Sequence, residues 1–165
     1  MRSKDRPGMK TLSNARVSRL SLSVFYHSTE NPAKVRKAVL NLIPPELRER
    51  VSMDEVVTQG HYGNEIGIIT VTLKGRNAFK TLKSIICSME HVDRNILVAT
   101  VSNRAGHRPS HLYFRVSKQE AYLGRVELMD GDDVIKVSVT VNGVRSVDQL
   151  KRFLEVLTSE CTDTR

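Results

Sequence analysis

Arg76, Lys80 and Lys83 follow one another at spacings of four and three, so a helix would hold all three cations in one stripe, with Lys74 close by and no acid in the run. Positive charge fixed in a row meets the phosphates of a nucleic acid and needs little further chemistry. Helices also carry Lys and Arg for solvation alone, and the stripe fits both readings. A second element, Gly60-His61-Tyr62-Gly63, has the G-x-x-G form that lets a backbone approach phosphates. Its flanks look like strands rather than helices, so a hairpin turn is the better reading. His61, Tyr62 and Asn64 are then exposed at its tip and free to touch a ligand.

Other reactive groups do not converge. His107 and His111 are separated by Arg108, Pro109 and Ser110, without a neighbouring cysteine or carboxylate to complete a zinc set. Cys87 falls on a helix with no recognisable histidine partner, and no Gly-x-Ser-x-Gly elbow occurs. Asp130, Asp132 and Asp133 read as a turn. The sequence therefore implies a binding protein, not an enzyme, with no cofactor and no metal. Cys87 and Cys161 are too few for a disulfide framework or a four-sulfur site, and a reducing, cytoplasmic setting is the simplest expectation. No apolar run is long enough to span a membrane.

The elements that must position these groups follow from composition and period. The chain has 165 residues, 39% hydrophobic and 27% charged, which suits a single folded domain. With 5% aromatics and no Trp, its core must be mainly Val, Ile and Leu. The formal charge is +8, as expected of a surface that meets a polyanion. Arg2, Lys4, Arg6, Lys10 and Arg16 against the single Asp5 put half of that excess in the first 16 residues. We read residues 1–16 as a basic arm, 17–158 as one domain and 159–165 as a polar tail.

From Val17 the pattern alternates, Leu20, Leu22, Val24 and Tyr26 against Arg19, Ser21 and Ser23, which is a half-buried strand. Thr29 or Asn31 can cap a helix carrying Val35, Ala38, Val39 and Leu42, stopped by Pro44 and Pro45. A hairpin through Gly60 and Gly63 is followed by the helix of Phe79, Leu82, Ile86 and Met89. Residues 93–104 fit a helix better than a strand. Strands are expected over His111–Ser117, Arg125–Met129 and Val134–Val141, and Ser146 with Gln149 opens a last helix. This order suits an α+β fold, a single antiparallel or mixed β-sheet with helices packed on one face. The other face would be open, with Arg19, Ser21, Ser23, Tyr113, Arg115, Arg125, Lys136 and Ser138 pointing into it.

The stretch from Leu112 to Gly124, with its Lys118-Gln119-Glu120-Ala121-Tyr122-Leu123-Gly124, and the following Asp130-Gly131-Asp132-Asp133 resemble the signature of an archaeal family of predicted RNA-binding exosome subunits. His61-Tyr62-Gly63-Asn64-Glu65-Ile66 is similar to that family's His-Gly-Asn-Pro-Ile element, with Tyr62 inserted and Glu65 in place of proline. Ser117 stands where the family tends to have Asp. The resemblance spans about Val17 to Val141. It implies a ribosomal-protein-like α+β fold and RNA as partner, together with exosome or other RNA-processing proteins, and it brings no catalytic residue. The residues expected to contact RNA are Arg76, Lys80, Lys83, Tyr113, Arg115, Lys118, Gln119, Arg125, Lys136, His61, Tyr62 and Asn64. A protein-interaction adaptor is the second reading, and a metal-dependent nuclease or hydrolase the third.

Overall fold

The computed structural model describes residues 14–162. The basic arm expected over residues 1–16 lies outside the described residues as far as residue 13, and so do the last three residues of the tail. Arg16 already belongs to the first strand, β1 (Arg16–His27). It is followed by α1 (Pro32–Asn41), a 3-10 turn at Pro45–Leu47, β2 (Met53–Gln59), β3 (Glu65–Lys74), α2 (Gly75–Ser88) and α3 (His91–Ala99). The chain then forms α4 (Val101–Arg104), β4 (His111–Ser117), α5 (Lys118–Tyr122), β5 (Val134–Asn142) and α6 (Val147–Ser159).

The five strands make one sheet in the order β2-β3-β1-β5-β4, and each neighbouring pair is antiparallel. The alternation read from β1 is the alternation of the sheet. Leu20, Leu22, Val24 and Tyr26 are buried, and with Ile69, Val71, Leu112, Phe114, Val137 and Val139 they face the helices. Each of these large apolar side chains contributes about 1.5–3 kcal/mol by leaving water. Against them α2 lays Ala78, Leu82, Ile85 and Ile86, and α6 lays Leu150, Phe153, Leu154 and Leu157. Local signals set the helix starts. Asn31 Oδ1 accepts from the Ala33 N–H at 2.9 Å with Pro32 beside it, and Ser146 Oγ accepts from the Gln149 N–H at 3.1 Å.

Two expectations need correction. Residues 125–129 are not a strand: Val126 and Leu128 turn inward with a strand-like period, but they make isolated bridges, to Met89 and Val116. Gly124, at φ 85°, and Gly131, at φ 116°, bend the chain on either side, and the Leu128 N–H is taken by the Asp93 carboxylate at 2.9 Å. The segment instead runs beside β4, with the Met129 N–H on Arg115 O at 3.0 Å. Together with Gly106, whose N–H donates to His111 O at 2.9 Å, it covers that edge of the sheet.

The second correction concerns the cysteines. Cys87 on α2 and Cys161, just beyond α6, have Cα atoms 5.1 Å apart and form a disulfide across 74 residues of sequence. Counting thiols could not reveal this, because the packing of α6 against α2 is what brings them together. Cys161 is thus tied to α2.

Candidate nucleic-acid interface

The face of the sheet away from the helices carries a register of polar and aromatic side chains. Across β1, β5 and β4, Ser23 stands opposite Lys136 and Lys136 opposite Arg115. The next row places Thr72, Ser21, Ser138 and Tyr113 side by side, with Ser21 Oγ and Thr72 Oγ1 3.1 Å apart. Beyond it, Arg19 on β1 faces Lys74 on β3 and Thr140 on β5. Two cross-strand pairs on this surface, Arg115 with Lys136 and Arg19 with Lys74, are therefore cation against cation.

Rings punctuate the same surface. Phe25 projects from the central strand β1, and the Lys136 ammonium lies 5.4 Å from its ring centre. His111 and Tyr113, two residues apart on β4, have nearly parallel rings with centres 6.5 Å apart. A groove of about 370 Å³ runs over this end of the sheet, lined by Tyr113, Arg115, Lys136 and Ser138, with Arg104 of α4 and Asp130 at its sides.

The residues singled out from sequence separate into several places. Tyr113, Arg115 and Lys136 share the open face. Arg76, Lys80 and Lys83 lie on α2, which packs on the opposite side of the sheet, and Lys83 is paired with Glu160 at 3.2 Å. His61, Tyr62 and Asn64 are exposed at the tip of the β2–β3 hairpin, where the His61 and Tyr62 rings meet edge to face at 4.8 Å. Arg125 is exposed and paired with Glu120 at 2.6 Å, away from the strand that was to carry it.

Lys118 is put to a different use. It is only 6% exposed, and its ammonium donates to Phe25 O at 2.8 Å and to Glu30 Oε1 at 2.9 Å, with Asp133 Oδ1 at 3.4 Å. Gln119 donates to Asp133 Oδ2 at 3.0 Å. The Lys-Gln pair of the family-like signature thus fastens β1, α5 and the acidic loop to one another. Ser117 caps α5 through its Oγ, which accepts from the Glu120 N–H at 3.1 Å. Aspartate serves equally well at such a cap, so the exchange preserves the local geometry.

Phe25, Arg19, His111 and Lys74 complete the surface. Phe25 continues the series Arg19, Ser21, Ser23, and the same alternation carried one step further finds it. Lys74 is the last residue of β3, not part of the helical stripe.

A tie outside the face holds the edge strand in place. Arg36 on α1 donates to Glu55 on β2 at 2.8 Å, and the Tyr26 hydroxyl on β1 donates to the same carboxylate. The Arg36 guanidinium, and then the Tyr26 hydroxyl, hold the Glu55 carboxyl below the usual carboxylate range against the opposing effect of burial. Tyr26 is pushed above its ordinary value, first by its hydrogen bond to Glu55.

Among the described residues no group of three or more His, Cys, Asp or Glu could hold a metal ion, and no helix is long and apolar enough to cross a membrane.

An antiparallel sheet with helices on one side, and with cations, hydroxyls and rings on the other, defines the class: a single-sheet α+β domain with one open, cation-bearing face. The family described as RNA binding matches residues 19–141, and the chain belongs to it. It is 32% identical over 142 residues to an uncharacterized protein of Methanocaldococcus jannaschii, covering 86% of this chain and 95% of that one. It is also 32% identical over 124 residues to an RNA-binding protein of Pyrococcus abyssi, covering 74% of this chain and 80% of the relative. Among solved structures, a protein from Sulfolobus solfataricus superposes with a TM-score of 0.72 at 26% identity, covering 86% of this chain and 97% of that one.

Proposed function

We propose that this protein binds RNA through the uncovered face of its sheet and acts as an accessory to RNA processing or exosome-type degradation, without catalysis of its own. The observation that carries the reading is the pair of cation-on-cation registers, Arg115 with Lys136 and Arg19 with Lys74. Like charges directly opposite on neighbouring strands are destabilising. A fold that keeps two such pairs on one open face retains a cost that a bound polyanion removes. The RNA-binding family and the Pyrococcus abyssi relative support RNA as that polyanion. The exosome link is supported by the resemblance of the Lys118–Gly124 signature.

A salt titration of RNA binding by the purified protein tests the core of this reading. Affinity should fall linearly with salt on logarithmic axes, and the slope should flatten by about 0.7 to 0.9 for each phosphate contact removed. Wild-type affinity in a variant with Arg19, Lys74, Arg115 and Lys136 all changed to Ala would sink it. The exosome link is tested separately, by asking whether purified exosome core retains the protein.

One observation favours a protein-interaction adaptor. Among the described residues β2 ends the sheet with no further strand beside it, and it exposes Val56 (59%) and Val57 (54%), an edge on which another chain could add a strand. Tight binding to a protein partner by a chain with no RNA affinity would put that reading first.

A further inference from the structure

Phe25 and Tyr113 are 45% and 46% exposed on the open face, Tyr113 among Ser, Thr, Lys and Arg, and Phe25 between Lys136 on one side and the aliphatic Ile68 and Val56 of β3 and β2 on the other. Solvation explains the polar residues of this face, and contact with Ile68 covers one side of Phe25, but neither accounts for two large rings left half in water. Phe25 stands on the middle strand of the sheet, where no chain end or loop disorder accounts for it. Tyr113 is propped from the side: a Cβ placed on Gly106 would come within 2.8 Å of its ring, and the parallel His111 ring flanks it. The ring is thereby held at the groove of about 370 Å³, a volume in the range of small-molecule sites.

The register also fixes how the two rings relate. Tyr113 lies in the row of Ser21, four residues along the strands from Phe25 and two strands away. With strands about 4.8 Å apart and about 3.4 Å per residue, their Cα atoms are roughly 17 Å apart. Lys136 and Arg115 occupy the row between them.

Resting on the RNA-binding reading above, we propose that the ligand is single-stranded RNA, with one unpaired base stacked on Phe25, another on Tyr113, and the intervening phosphates over Lys136 and Arg115. In a duplex the faces of the bases are already covered by their neighbours, and only backbone, 2′-hydroxyls and base edges are presented. Rings on a flat sheet have nothing there to stack on, whereas an unpaired base offers its whole face. The Lys136 ammonium rests over Phe25 in the free protein, and a base arriving on that ring displaces it towards the phosphate. At the Tyr113 end, the Asn103 amide and the Asp130 carboxylate border the groove and offer a donor and an acceptor to a base edge.

The test compares a short oligouridylate with a blunt RNA duplex of equal length at matched salt, using wild type and Phe25→Ala, Tyr113→Ala, Phe25→Tyr and Tyr113→Phe. The single strand should bind tighter. Each alanine variant should lose about 5- to 150-fold in single-strand affinity, the range for one stacked base, while the aromatic exchanges retain it. A strand carrying 2-aminopurine should be quenched on binding wild type and less so on the alanine variants. If the duplex binds at least as tightly, and the alanine variants are inert while Lys136→Ala and Arg115→Ala weaken binding, the stacking inference is overturned and the phosphate-binding face stands. If neither RNA binds wild type, both fall.

Discussion

Arg115 and Lys136 stand directly opposite each other where β4 and β5 pair, two cations on one open surface. An opposite-charge pair in that register would contribute about 0.2–1 kcal/mol, and the like-charge pair subtracts from stability instead. Stability and binding should therefore move in opposite directions. Arg115→Glu is expected to raise the urea midpoint slightly and to weaken RNA binding, with a flatter salt dependence. A variant that loses stability and keeps its affinity would show that this register has nothing to do with the ligand.

Separating the two basic surfaces is the second prediction. Arg76 and Lys80 are held by α2 on the far side of the sheet from Arg19, Lys74, Arg115 and Lys136. One short RNA cannot lie on both sides at once. Replacing the sheet-face cations by Ala should cost more affinity than replacing Arg76, Lys80 and Lys83, by about one unit of salt slope per additional contact. Removing residues 1–13, which carry Arg2, Lys4, Arg6 and Lys10, should weaken binding to every RNA alike, since charge on phosphates carries no sequence information directly. Fluorescence anisotropy at several salt concentrations checks both.

Lys118 provides the third. Its ammonium bridges Phe25 O, Glu30 and Asp133 from a buried position, so Lys118→Ala removes a charge that its partners need. Loss of one member of such a group costs about 3–5 kcal/mol when all are buried. Glu30 and Asp133 are partly exposed and regain water, so about 1–2 kcal/mol is expected here. The melting temperature should fall while the salt slope of RNA binding stays unchanged. A flattened slope with unchanged stability would make Lys118 a phosphate contact after all.

The cysteine pair gives a fourth expectation. A cross-link closing a loop of this length restricts the unfolded chain by up to about 4 kcal/mol in the chain-entropy account. Reductant, or Cys161→Ser, should lower the urea midpoint by as much as that. Equal midpoints with and without reductant would mean that the bond constrains nothing the helices do not already hold.

How far the sequence disclosed this molecule depends on the range of the interaction that decides each feature. The face that Leu20, Leu22 and Val24 turn to the helices follows from a period of two, which is local, and so does the outward path of Arg19, Ser21 and Ser23. Phe25 lies on that same outward path, one alternation beyond Ser23. Lys118 differs because its partners are distant in sequence. Glu30 is 88 residues away, and nothing in the Lys-Gln motif says that this carboxylate will meet it. Arg125–Met129 had a strand's alternation but lost its N–H to Asp93, a side chain 35 residues distant, in the case of Leu128. Residues whose neighbours are sequence-local were legible, and residues whose partners arrive by tertiary packing were not.

The last prediction concerns Glu55, which joins β2 to α1 and β1 by accepting from Arg36 and Tyr26. Its folded pKa lies below the unfolded value of about 4.3, because the Arg36 hydrogen bond and then the Tyr26 hydrogen bond favour the carboxylate. A depressed carboxylate contributes stability that is present above that unfolded value and is lost as pH falls through the folded one. Tyr26 has the opposite sense: raised above 10, it contributes stability below about pH 10 that is lost as pH rises through its folded value. Arg36 is partly exposed and solvent screens the pair, so the contribution is below about 1 kcal/mol. Glu55→Gln should remove both effects, leaving a shallower loss of urea midpoint on acidification below about pH 4.3 and a weaker alkaline fall. Gly67 offers an internal control on the same tie. The Tyr26 ring crosses that residue so closely that an added Cβ would lie 2.0 Å from Cζ, so Gly67→Ala must dislodge the hydroxyl from Glu55. It should shift the acid limb in the same direction as Glu55→Gln, with an added pH-independent loss from the displaced ring. If the acid limbs of wild type and Glu55→Gln coincide, the carboxylate is not coupled to folding and β2 is held by its ladder to β3 alone.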